Sequence, residues 1–72
     1  MGTKNHPSPF DCYANAEPDE PMFILLGRDL QAPKLVRLWA DWREARGEDP
    51  AKVAEARQCA DAMQRYAEGR RR

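Results

Sequence analysis

The sequence predicts a mainly α-helical chain in which one short β-strand precedes an antiparallel helical hairpin, the strand pairing with its counterpart across a homodimer. Three observations carry that expectation. Residues 22–27, MFILLG, are a short apolar run closed by Pro21 and Gly27. Residues 28–47 and 48–69 each repeat apolar side chains at intervals of three and four, the signature of an amphipathic helix. A very short turn at Gly47 joins the two, so they must fold back on each other.

The elements follow in order. Pro7, Pro9 and Pro18, with Gly, Asn, Ser and Asp among them, give residues 1–20 an extended and turn-forming composition. Residues 1–9 are read as a disordered tail, 10–69 as a single strand–helix–helix domain and 70–72 as a basic tail. Phe10 and Tyr13 mark where the chain is pinned. The run at 22–27 is apolar at every position, and its length and flanking breakers favour a strand covered on both faces. In the next segment Pro33 suits a first helical position, where its missing N–H costs nothing. Leu35, Leu38, Trp39, Trp42 and Ala45 form its apolar stripe, with Trp39 read as core and Trp42 as partly exposed or interfacial. Gly47 is the left-handed stop. Asp49 and Pro50 cap and open the second helix, Val53, Ala56, Ala60, Met63 and Ala67 line it, and Gly69 ends it.

Size sets the stability problem. A chain of 72 residues buries only about 60% of the surface it exposes when unfolded, and small scaffolds need a staple or a partner. One histidine and two distant cysteines offer no metal-ligand spacing, so no metal and no cofactor are expected. No leader-like segment opens the chain, since MGTKNHPSPF is polar, and the cytoplasm with Cys12 and Cys59 reduced is the expected setting. A Cys12–Cys59 disulfide is the alternative. Self-association then becomes the expected source of the missing stability. A lone strand points the same way, because its buried backbone groups need a second strand and the chain holds none.

Formal net charge is zero, but Lys4 faces four acids in residues 1–27, a net −3, while residues 28–72 hold eleven basic and eight acidic side chains, a net +3. A zero total argues against a protein that lives on a phosphate backbone, so direct nucleic-acid binding is not expected. No apolar run approaches the roughly 20 residues of a membrane span.

Candidate site residues are weighed against structural roles. Asp19 and Glu20 are adjacent carboxylates, better read as a turn before Pro21 than as an acid–base pair. Cys12 and His6 lack a third, orienting group, and the chain has no phosphate-binding glycine loop. A non-enzymatic role is therefore expected. Arg28 and Asp29 lie beside a helix start, where free N–H groups could take an anion. In the structural alternative Asp29 caps the turn and Arg28 meets the Asp19–Glu20 box. Trp42, Arg37 and Tyr13 are residue types that anchor interfaces or stack on bases. The candidate ligand-binding set is thus Arg28, Asp29, Trp42, Tyr13, Asp19, Glu20 and Arg37.

From Tyr13 the stretch YANAEPDEPMFILLGRDLQAPKLVRLWADWREAR, with VAEARQCADAM further on, resembles a group of small proteins encoded by tailed phages and prophages of proteobacteria. The resemblance covers roughly residues 13–66. It implies an accessory protein that acts in the cytoplasm of an infected bacterium. Two readings follow. The first is sequestration of a small anionic, nucleotide-type signal by an oligomeric sponge. The second is protein–protein inhibition of a host defence complex, such as a CRISPR effector.

Overall fold

The computed structural model describes residues 1–70. Among them are three helices: α1, Cys12–Asn15; α2, Ala32–Ala45; and α3, Pro50–Arg70. The basic tail read at 70–72 lies outside the described residues apart from Arg70, the last residue of α3. No helix among the described residues is long and apolar enough to cross a membrane.

Caps explain where the helices begin and end. The Asp11 carboxylate accepts from the Tyr13 and Ala14 amides and starts the single turn of α1. At the far end of α2 the Gly47 amide donates to the Glu44 carbonyl and the Glu48 amide to that of Arg43. These are the two bonds of a Schellman stop, with Gly47 in the left-handed region at φ +75°. Asp49 Oδ1 then accepts from the Ala51 amide and Pro50 opens α3. Gly69 does not end that helix; its backbone stays helical and α3 runs on to Arg70.

A Cβ at Gly47 would meet nothing within 4 Å, so substitution there tests the backbone alone. Gly47→Ala is expected to cost about 1 kcal/mol, the strain of placing an L side chain in the left-handed region. Urea unfolding should show a lower midpoint at unchanged slope.

The two long helices pack through their smallest residues. Ala40, Val53 and Ala56 form the core cluster, and Ala32, Ala60 and Ala67 are likewise buried along α2 and α3. Val36 and Trp39 from α2, and Met1 from the N-terminal segment, pack against that cluster. Among the described residues no large side chain is fully buried. One seam of the hairpin is closed by ion pairs: Arg37 to Asp61 at 2.8 Å, and Arg57 to Asp41 at 2.9 Å and Glu44 at 2.7 Å. The N-terminal segment lies against other parts of the hairpin, with Met1 on the core cluster and Gly27 against Met63 and Tyr66 of α3.

The structure corrects the expected fold class. Among the described residues there is no β-strand; an isolated antiparallel bridge between Gly2 and Pro7 is the only β pairing. No backbone hydrogen bond among the described residues joins residues 21–25 to another segment, and the run ends in a turn where the Asp29 amide donates to the Leu26 carbonyl. The physical reason is the one the sequence raised. A strand needs a neighbour, Pro21 has no N–H to offer, and the chain supplies no second strand. The segment therefore stays in water, which satisfies its backbone. A dimer paired through this strand has no strand to pair.

A second correction concerns α2. Residues 35, 38 and 42 lie along one line of the helix, while 32, 36, 40 and 43 lie along another about a third of a turn away. The small-residue line faces α3, and Leu35, Leu38 and Trp42 are left exposed. Of the expected stripe, Leu35 and Leu38 face outward, while Trp39 packs on the core and Trp42 is exposed, in agreement with the expected split of the two tryptophans.

Candidate functional site

The seven expected ligand-binding residues do not converge. Tyr13 is exposed on α1. Asp19 and Glu20 are exposed in the loop after it, where Glu20 Oε1 accepts from the Glu17 amide at 3.0 Å. Asp29 Oδ1 accepts from the Gln31 amide at 2.9 Å, and its carbonyl accepts from the Ala32 amide, so this carboxylate holds the turn that starts α2. Arg37 spans the helix seam, donating to Asp61 and Gln64, both at 2.8 Å. Those bonds occupy Asp29, Glu20 and Arg37 internally. Arg28 is exposed and enters no ion pair among the described residues. Trp42 is exposed by 62% on the outer line of α2.

Neither of the two best-formed depressions gathers these groups. One of about 320 Å³ lies at the hairpin turn, lined by Glu44, Gly47, Glu48, Pro50, Val53, Ala54 and Arg57. The other, about 220 Å³, includes Arg37 but otherwise only Asp61, Gln64, Arg65 and Glu68. Both are lined by the ion pairs of the helix seam, and neither contains Arg28 or Trp42. Among the described residues no three His, Cys, Asp or Glu side chains group as a metal site. Cys12, exposed, and Cys59, half-buried, are both free thiols.

The electrostatics are those of a braced hairpin. Arg57 holds the Glu44 carboxyl below its usual range, first by hydrogen bonding and then by charge, and the same bonds push the Arg57 guanidinium up. A carboxylate held low in the folded state adds stability above its unfolded pKa and loses it as pH falls through the folded value. The stability gap between the parent and Arg57→Ala should therefore be widest near neutrality and close in acid. Urea midpoints for both proteins across that range check it. Arg43 bonds both carboxylate oxygens of Glu48 at 2.8 Å while stacking 5.2 Å from the Trp39 ring centre, and Lys52 sits 5.9 Å from the same ring. Trp39 is thus clamped by two cations at the core's edge.

What sequence reasoning missed is an apolar surface. Phe23 is exposed by 88% and Ile24 by 62%, and Met22, Leu26 and Leu30 beside them are also exposed. With Leu35, Leu38 and Trp42 on α2, these are more bulky apolar side chains than the buried core contains. A signal for them was present: α2 carries a small-residue line and a bulky line, and close helix packing against an alanine-rich partner selects the small one. Set against family models, curated proteins and solved structures, the chain matches none.

Proposed function

We propose that this chain is a non-catalytic binding protein that works by protein–protein contact, antagonising a bacterial defence component by occupying its surface. The observation that supports this reading is the run Met22–Leu26, apolar, outside any hydrogen-bonded ladder and exposed almost completely at Phe23. An exposed apolar run of this kind marks an interaction site, and an extended segment with free backbone groups suits docking along another protein. The resemblance of residues 13–66 to small phage and prophage proteins supplies the setting, the cytoplasm of an infected bacterium. Sequestration of a nucleotide-type anion is the second reading. It draws on Arg28, exposed and free of ion pairs, and on the exposed ring of Trp42.

The test is recovery from host extract on immobilised protein, followed by mass spectrometry of both proteins and heat-released small molecules. A defence protein held by the parent chain, lost by Phe23→Ser and binding again when purified alone supports protein contact. A nucleotide whose retention depends on Arg28 and not on Phe23 supports sequestration instead. Identical recovery by the parent and both variants contradicts both readings.

A further inference from the structure

We infer that the outer line of α2, Leu35, Leu38 and Trp42, is the interface at which two copies of this chain pair antiparallel about a two-fold axis.

The exposed area leaves room for a cover of about this size. The chain exposes 6008 Å², whereas a folded monomer of 8.3 kDa exposes about 4,600 Å² by the usual scaling with mass. The difference, roughly 1,400 Å², exceeds the roughly 800 Å² that each partner gives up in a standard interface. It leaves apolar surface at residues 22–26 for a different partner.

The occupant is a second copy because the deficit belongs to the folded chain itself. A core of alanines and one valine, with no large side chain fully buried, offers little apolar burial to set against chain entropy. Whatever completes it must be present wherever the chain is, and another copy always is. The line is also shaped for self-pairing. Its residues stand three and four apart, the spacing of a helix–helix seam, along a helix of 14 residues, or about 21 Å.

Charge sets the direction. Lys34 and Asp41 flank the line on the same side, seven residues apart. A two-fold axis near Leu38 brings Lys34 of one copy beside Asp41 of the other, twice over, while a parallel pairing leaves the two Lys34–Asp41 flanks on opposite sides of the seam, where they cannot meet. Lys34 enters no ion pair within its own chain among the described residues, and Asp41 uses one oxygen for Arg57 and keeps the other.

Sedimentation equilibrium at micromolar concentration tests the proposal, with circular dichroism to establish that each variant is folded. The parent chain is expected at twice 8.3 kDa. Lys34→Glu, at an exposed site outside the core, should weaken association at least tenfold, and Lys34→Glu with Asp41→Lys should restore it. Leu38→Glu should give a folded monomer or an unfolded chain, and Phe23→Ser should leave the dimer intact. A monomeric parent overturns the proposal, as does a dimer that Leu38→Glu leaves unchanged. A dimer broken by Phe23→Ser and untouched by Lys34→Glu overturns it too, by placing the contact on the N-terminal segment.

Discussion

Trp39→Ala is expected to cost about 2–4 kcal/mol, toward the lower part of the range for removing a buried aromatic side chain because this ring is only partly buried. Trp39 is the one bulky side chain of α2's outer half that turns onto the Ala40–Val53–Ala56 cluster, and Arg43 and Lys52 stack against its ring. Its loss removes packing area and two cation contacts at once, in a chain whose remaining core is almost all alanine. Denaturant unfolding should place the variant at or below the edge of stability in plain buffer. Trp42→Ala, at an exposed site, should leave the unfolding of the isolated chain within a few tenths of a kcal/mol of the parent once measured below the association range. If the two tryptophans prove equally costly there, the division of α2 into an inward small line and an outward bulky line is wrong.

Ala56→Leu is the second large effect, in the opposite sense of size. Ala56 has no accessible surface and sits between α2 and α3 beside Ala40 and Val53. Three added carbon atoms cannot be housed without prising the helices apart, a cost of about 1–3 kcal/mol. Separation at that point also strains the Arg57 bridge to Asp41 and Glu44 on the neighbouring turn. Thermal unfolding should fall for Ala56→Leu and change little for Ala54→Leu, because Ala54 is exposed on the same helix.

Much of the helical scaffold was legible in the residues, because helix ends are written in local chemistry. Asp49 followed by Pro50, and glycine at 47, specify a stop and a start by hydrogen bonds that span only a few residues. The strand was not legible, because strand identity depends on a neighbour that no local pattern reveals. MFILLG has the composition of a buried strand and none of the pairing. The face of α2 was misread for a related reason. Hydrophobicity ranks leucine and tryptophan above alanine, but two helices meeting at close range select small side chains, and the large ones are displaced outward. Gly69 shows the limit of a single stop residue: without the left-handed turn and the bonds that Gly47 makes, α3 continues through it. In the candidate site, Glu20 and Asp29 hold turns, which is the structural alternative the residues offered, whereas the bonding of Arg37 to Asp61 and Gln64 across the helix seam was not legible because it depends on the packing of α3.

Backbone amide exchange, read residue by residue in the free protein, bears most directly on the view that residues 22–26 are an unpaired apolar surface held out by a braced hairpin. Amides of Val53 to Met63, inside α3, should be protected by the helix and its packing. Those of Phe23, Ile24 and Leu25 should exchange close to the rate of an unstructured chain, because no hydrogen bond joins them to another segment. Protection at those three amides comparable to that in α3 would mean that the run is paired after all, and would contradict both the open surface and the binding role drawn from it.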